Sequence, residues 1–267
     1  VHDLAERLGA RPGDEDAGGP RSGQRGGLAF VASSSRGGAA TDEPRPTRGD
    51  EIGALREALS VFARKPGPRL IAATAATMWG LRALAGPAGA SDLLAAGAAV
   101  AWWPLQEWLM HKHLLHLEPR EVLGVQVDPP FARKHREHHV DPRDIDATLL
   151  PVSVIAAAIP GASVVWLGLL GPRRATLTAM ATYSTMALFY EWTHFVVHTD
   201  VKPRTEHGKR VRRNHLLHHF RNEAYWLGFT MPWVDTVLGT EPDPATVPRS
   251  KTAMGLHGLN ARATAGG

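Results

Sequence analysis

The run "ATLLPVSVIAAAIPGASVVWLGLLG", Ala147 to Gly171, holds 25 residues without a formal charge. About 20 predominantly apolar residues suffice for a helix to cross the hydrocarbon core of a bilayer. The run also lacks the polar stripe that would turn one face of a soluble helix to water. It reads as a transmembrane helix rather than the core helix of a soluble bundle. Three weaker stretches accompany it: "LIAATAATMWGLRALAG" (Leu70–Gly86), interrupted by Arg82; "LLAAGAAVAWWPLQEWLM" (Leu93–Met110), with Pro104 and Glu107 toward its end; and "ATLTAMATYSTMALFY" (Ala175–Tyr190). Their Ala, Gly, Ser and Thr content suits close helix packing in lipid. The expected fold is an all-α integral membrane bundle of about four transmembrane helices with a helical cap on one face.

Charge orients it. Arg64, Lys65 and Arg69 precede the first stretch. Lys112, Arg120, Arg133, Lys134, Arg136 and Arg143 lie between the second and third, and seven Lys and Arg residues from Lys202 to Arg221 follow the fourth. The positive-inside rule then puts both termini and the 111–146 connection in the cytoplasm. The Ala- and Arg-rich composition fits a bacterial inner membrane. Residues 1–56, rich in Gly, Arg, Pro and acids, are expected to be disordered; 57–245 form the membrane domain, and 246–267 a flexible tail. The chain has no cysteine, which excludes disulfides, Cys-based zinc sites and protein-held iron–sulfur clusters within it. A net charge of +4 with no recognisable module gives no reason to expect nucleic-acid binding.

Ten of the fourteen histidines fall in four clusters. These are His111 and His116 in "HKHLLH", His135, His138 and His139 in "HREHH", His194 and His198 in "HFVVH", and His215, His218 and His219 in "HLLHH". Residues three and four apart share a helix face, so H-x-x-x-H presents two imidazoles side by side and H-x-x-H-H presents three. Positions i and i+5 lie about 140° apart on an ideal helix. For His111 and His116, therefore, either the helix end is distorted or the two rings serve different metals. Imidazole binds Fe, Zn, Cu and Ni; ten of them suit two ions with four or five nitrogens each. Ligation needs neutral rings, so affinity is expected to fall below roughly pH 6. The charge pattern puts all four clusters on one membrane face. Glu107 and Glu191, four and three residues before His111 and His194, are candidates to accept the second ring N–H of those histidines. His2, His207 and His257 stand alone and read as non-ligands; His113 needs a different helical register.

The phrases "EWLMHKHLLH", "HREHHVDPRD", "YEWTHFVVH" and "NHLLHHF", with the closing "LGFTMPWVDTVLGT" (Leu227–Thr240), resemble the histidine boxes of the fatty acid hydroxylase superfamily, which includes sterol desaturases and carotenoid hydroxylases. The resemblance covers roughly residues 70–240. Eighteen residues between His116 and His135 and the H-x3-H third box favour the fatty acid hydroxylase and sterol side over the carotenoid hydroxylases. The resemblance implies that the ten boxed histidines hold two iron ions, with zinc as an alternative occupant in isolated protein. Tyr190 and Glu191 stand where the family commonly has Tyr-Asp. It implies O2 as co-substrate, a lipid substrate drawn from the bilayer (a fatty acyl chain, sterol or related lipid), and hydroxylation or desaturation of an unactivated C–H bond. Electrons would come from a separate ferredoxin- or cytochrome-type donor. Two other readings are other chemistry on the same site and a non-catalytic metal-binding membrane protein.

Overall fold

The structure, a computed structural model, describes residues 47–255. Helices dominate. A 3-10 turn at Gly49–Glu51 leads to α1 (Leu55–Arg64), α2 (Pro66–Leu84) and α3 (Ala90–Met110). A hairpin of β1 (Arg120–Val122) and β2 (Val125–Val127) precedes α4 (Pro130–Val140), the short α5 (Ile145–Thr148), α6 (Val152–Leu170) and α7 (Arg174–Val197). Then come α8 (Glu206–Phe220), α9 (Trp233–Leu238), a 3-10 turn at Pro244–Thr246 and α10 (Lys251–Gly255).

Local signals set these boundaries. Prolines open α2 and α4, where a missing N–H costs nothing and φ is already helical. Asp144 caps α5 by accepting from Asp146 and Ala147 N–H, and Thr205 caps α8 by accepting from Gly208 N–H. Gly171 ends α6 at φ +69°, a conformation that favours glycine.

Four long helices, α2, α3, α6 and α7, pack together with α7 against each of the others. Among the described residues only the run Ile145–Leu170 is long and apolar enough to cross a membrane by length and composition alone. Its most apolar window is only 11% buried, and Val164, Val165, Leu167 and Leu169 of α6 face outward. A soluble core helix would be buried, so lipid is the solvent that this exposure suits. The other three long helices carry interior polar groups, several of which pair with one another. Arg82 and Asp92, 5% and 7% exposed, pair at 2.6 Å, and Thr178 bonds both.

The folded body begins earlier than expected. Residues 47–56, assigned above to an irregular segment, close over a core of Ala58, Phe62, Ile145, Leu149 and Phe195 through Ile52. Arg48 Nη1 donates to Asp141 at 2.9 Å, and Asp200 N donates to the Ile52 carbonyl at 2.9 Å. No apolar periodicity announced this segment, because one isoleucine and backbone bonds secure it. At the other end, residues 246–255, expected in the flexible tail, are also folded: Val247 and Ala253 are buried, and Ser250 N bonds the Arg221 carbonyl at 3.0 Å. The rest of both expected terminal segments lies outside the described residues.

Gly49 is needed for close approach. A Cβ there would lie 2.0 Å from the carbonyl oxygen of His198. Gly49→Ala is therefore expected to lower stability by about 1–3 kcal/mol, the usual cost of overpacking, whereas Gly53→Ala, with nothing within 4 Å, leaves it unchanged. Thermal unfolding of the two variants checks this.

Candidate metal centre

At the end of α3 the chain does not stop but widens. His111–Leu115 form one π turn, the i→i+5 geometry that occurs at functional sites. The turn stacks His111 on His116, ring centroids 5.2 Å apart at 20°. Of the two arrangements left open by their spacing, the structure takes the distorted helix with both rings in one group.

Helix α4 supplies His135, His138 and His139; α7 supplies His194 and its C-cap His198; α8 supplies His215, His218 and His219. They gather into two sets of five. One is His111, His116, His135, His139 and His218; the other is His138, His194, His198, His215 and His219. In each set the ligand-capable atoms all lie within 4.8 Å of one another. The i,i+4 pairs stay together, while the remaining ring of each H-x-x-H-H triplet crosses to the other set. Helices α4 and α8 thereby each serve both sets, which ties their positions together.

The ring nitrogens point at one another. In the first set Nε2 of His135 lies 3.2 Å from that of His116 and 3.1 Å from that of His139, which is 3.1 Å from that of His218. In the second set the corresponding separations run from 2.8 Å (His198–His215) to 3.1 Å (His194–His138 and His219–His215). Metal–imidazole bonds of about 2.0–2.1 Å put ligands at right angles about 3 Å apart. Two tautomers are also fixed. His111 Nδ1 lies 2.6 Å from the Leu227 carbonyl and His218 Nδ1 lies 2.9 Å from the Tyr225 carbonyl. A carbonyl only accepts, so both Nδ1 atoms carry the proton and both Nε2 lone pairs face inward. His111 Nε2 is buried with no protein partner. These residues fit two metal ions, one per set.

Burial, reinforced by the mutual repulsion of neighbouring imidazoliums, holds the α4 and α8 histidines well below the ordinary imidazole range. They stay neutral and ready to ligate. In the unfolded chain they would protonate below about pH 6.5. The unfolded state then binds more protons, and stability falls as pH drops through that value. The melting temperature of metal-free protein is therefore expected to fall between pH 7 and pH 5; calorimetry across that range measures it.

The two acids behave differently from expectation. Glu107, four residues from His111, does not bond that ring. Its Oε1 accepts from Phe229 N at 2.7 Å and Thr230 N at 2.9 Å, and its Oε2 accepts from Trp103 Nε1 and the Thr230 hydroxyl. It pins the loop whose Leu227 carbonyl orients His111, and so acts on the ligand one step removed. Glu191 Oε2 accepts from Leu150 N at 3.3 Å, and no bond joins it to His194. Tyr190 is stacked beside Phe229, 4.7 Å between centroids, and 6.1 Å from His194. His113 is exposed and in neither set, its ring 6.0 Å from that of Trp108. His207, read as a non-ligand, bonds the Thr230 carbonyl at 3.1 Å; His2 and His257 lie outside the described residues.

Thr148 escaped the sequence reading, whereas Gly228, Phe229 and Asp235 stood out in the closing phrase without an assigned role. Thr148 places its hydroxyl 3.3 Å from His138 Nδ1. Asp235 accepts from Leu227 N, Gly228 N and the Thr240 hydroxyl, and burial nevertheless pushes its carboxyl up to about 6. Gly228 leaves no room for a side chain, since a Cβ would lie 2.2 Å from Val234 Cγ1. Phe229, 1% exposed, packs on His111, His194 and His215 and so floors both sets. The phrase "LGFTMPWVDTVLGT" was the visible signal for this loop, without its mechanics.

A cavity of about 200 Å3 lies among α2, α3, α6 and α7, lined almost wholly by apolar side chains such as Ile71, Met78, Ile155 and Ala187. Glu107, Tyr190 and Glu191 line it as well. A smaller space of about 20 Å3 shares Leu115, Phe131, Leu150 and Tyr190 with it and touches His135, His138 and His194.

Fold and site together define a helical protein with two histidine clusters that could each hold a metal ion and an apolar cavity beside them. The family model described as fatty acid hydroxylase matches residues 96–240, more than half of the chain, and the protein belongs to that family. It is 26% identical over 128 residues to a fatty acid 2-hydroxylase of Macaca fascicularis, covering 48% of this chain and 34% of that protein. It is 26% identical over 153 residues to the dihydroceramide fatty acyl 2-hydroxylase FAH2 of Arabidopsis thaliana, covering 54% of this chain and 58% of that one. The chain thus spans between a third and three fifths of the length of these curated relatives. Its fold is similar to the hydroxylase domain visible in full-length scs7p, with a TM-score of 0.57 at 21% identity, covering 69% of this chain and 68% of that one.

Glu107→Ala frees the 227–230 loop and, through Leu227, the His111 ring. It is expected to weaken metal binding by about 10–100-fold, the usual cost of losing a group that orients a ligand, without removing any histidine; metal titration of the purified variant measures it.

Proposed function

We propose that the protein is an O2-dependent di-iron membrane hydroxylase acting on an unactivated C–H bond of a lipid acyl chain. The observation that carries this reading is the junction of the apolar cavity with both histidine sets. An extended hydrocarbon fits such a cavity, and its shared walls at Leu115, Phe131 and Tyr190 lead toward ligands of each set. Two bound iron ions would supply O2 activation and the oxidising power for the C–H bond.

The protein's own residues do the rest. The apolar walls desolvate the chain and exclude water from the reacting carbon. Tyr190, which lines the cavity and is backed by Phe229, forms a wall that limits how far a chain can advance, and so which carbon is presented. The relatives' names point to the 2-position of a fatty acyl group, free or amide-linked. In this reading α2, α3 and α7 cross the bilayer together with α6. Their lengths of 19, 21 and 24 residues correspond to about 28–36 Å at 1.5 Å per residue. The basic connections support a cytoplasmic metal end, where a separate ferredoxin- or cytochrome-type protein would deliver electrons. The chain has no cysteine to hold a cluster, and exposed cations such as Arg133 and Arg213 suit an acidic donor.

The test uses protein in nanodiscs, loaded anaerobically with iron, reduced, and exposed to isotopically labelled O2 in the presence of ceramide and free fatty acid. One labelled oxygen in a 2-hydroxyacyl product is expected, with none from His215→Ala. Two bound metals without O2 consumption would instead favour a metal-binding protein.

A further inference from the structure

The hairpin between the first two histidine clusters takes no part in the site, yet its construction is unusual. Its turn residues Leu123 and Gly124 have φ of +52° and +78°. A two-residue hairpin turn with both φ positive favours Asn-Gly, because asparagine tolerates the left-handed region and leucine does not. A leucine in this place is strained and also 99% exposed, so water gives it no compensation. Its neighbours Val122 and Val125 are 42% and 63% exposed, and the tip Val122–Val125 carries no charge.

The hairpin is held stiffly. Arg136, on the helix that bears His135, His138 and His139, bonds the Leu117 carbonyl before the hairpin and Asp128 Oδ1, at 2.6 Å, after it. The flanking residues Leu114, Leu115 and Phe131 line the metal end of the apolar cavity. The outward apolar surface continues onto the end of α3, where Leu109, Met110 and Leu114 are exposed. Charged residues of both signs border it: Arg120 and Glu121 at the hairpin's base, with Lys112, Glu118 and Arg133 exposed on the flanking segments. An uncharged apolar tip with charged residues behind it matches the layering of a lipid leaflet, in which acyl chains lie beneath polar headgroups.

We infer that the Val122–Val125 tip inserts into the headgroup–acyl boundary of the bilayer and, through the Arg136 clamp, holds the histidine-bearing cap and the cavity's metal end against the lipid surface. The inference rests on the membrane reading of the preceding section. The strained leucine is accounted for by its environment, since lipid stabilises an apolar side chain where water does not.

The absence of cysteine makes single-site labelling clean. Full-length Leu123→Cys carrying an environment-sensitive fluorophore is reconstituted into liposomes containing lipids spin-labelled near the headgroup. Blue-shifted emission, quenched by those lipids and protected from aqueous iodide, is expected. Water-like emission quenched by iodide would overturn the inference, as would protection that arises only at high protein-to-lipid ratio, which would mark contact with a second protein. Val164→Cys on the outer face of α6 is the reference: if deep spin labels fail to quench it, the membrane reading itself fails, and if they quench it while Leu123 stays in water, only the hairpin inference fails. In Val125→Cys labelled protein, adding Leu123→Asn relieves the turn, so the hairpin folds, but loss of lipid quenching at position 125 is expected; unchanged quenching would overturn the leucine's role.

Discussion

Ten imidazoles packed together, nine of them with Nε2 2.8–3.2 Å from a neighbour's, set the constraint to which the rest of the structure answers. Where the opposite nitrogen is fixed as a donor, as in His111 and His218, the inward lone pair of His218 faces the His139 nitrogen and that of His111 faces no donor at all. Burial bars protonation as a remedy, because desolvation penalises the charged ring. A cation between the rings satisfies both requirements. The helix lengths, the π turn and the loop at 225–240 can each be understood as bringing these nitrogens to that geometry.

Support for the ligands comes from backbone more than from side chains. The carbonyls of Leu227 and Tyr225 orient His111 and His218. Both lie on a loop held by Glu107 from α3 and by Asp235 from α9. Asn214 and Arg210 of α8 meet Glu241 just beyond that loop. Burial would raise the Glu241 carboxyl, but Arg210, Asn214 and Thr236 outweigh it and hold it down at about 2. The N-terminal Gly49 fits against the carbonyl of His198 with no room for a side chain. Groups far apart in sequence thus meet at one small volume, and most contribute through the main chain.

This explains what could be read in advance. The H-x-x-H-H and H-x3-H spacings carry helical geometry directly, so the clustering of His135, His138, His139, His194, His198, His215, His218 and His219 was legible. The division into two sets was not, because it depends on how α4, α7 and α8 are placed around one another. The His111–His116 pair was ambiguous because i,i+5 fits no α-helical face, and only a π turn resolves it. Glu107 was visible as an acid near a ligand, but its backbone partners at Phe229 and Thr230 lie more than 120 residues away in the chain. The uncharged α6 was plain; the other long helices hide buried polar groups, such as Arg82 with Asp92, inside moderately apolar sequence. Residues 47–56 joined the fold unannounced because tertiary backbone bonds, not periodicity, hold them.

The most direct test of two five-histidine metal sites is X-ray absorption at the iron edge of stoichiometrically loaded protein. The proposed di-iron reading predicts two irons per chain, a first shell dominated by imidazole nitrogen at about 2.1 Å, and the multiple-scattering pattern of several histidines on each metal. A single iron per chain, or a shell dominated by water and carboxylate oxygen with few imidazoles, would contradict it.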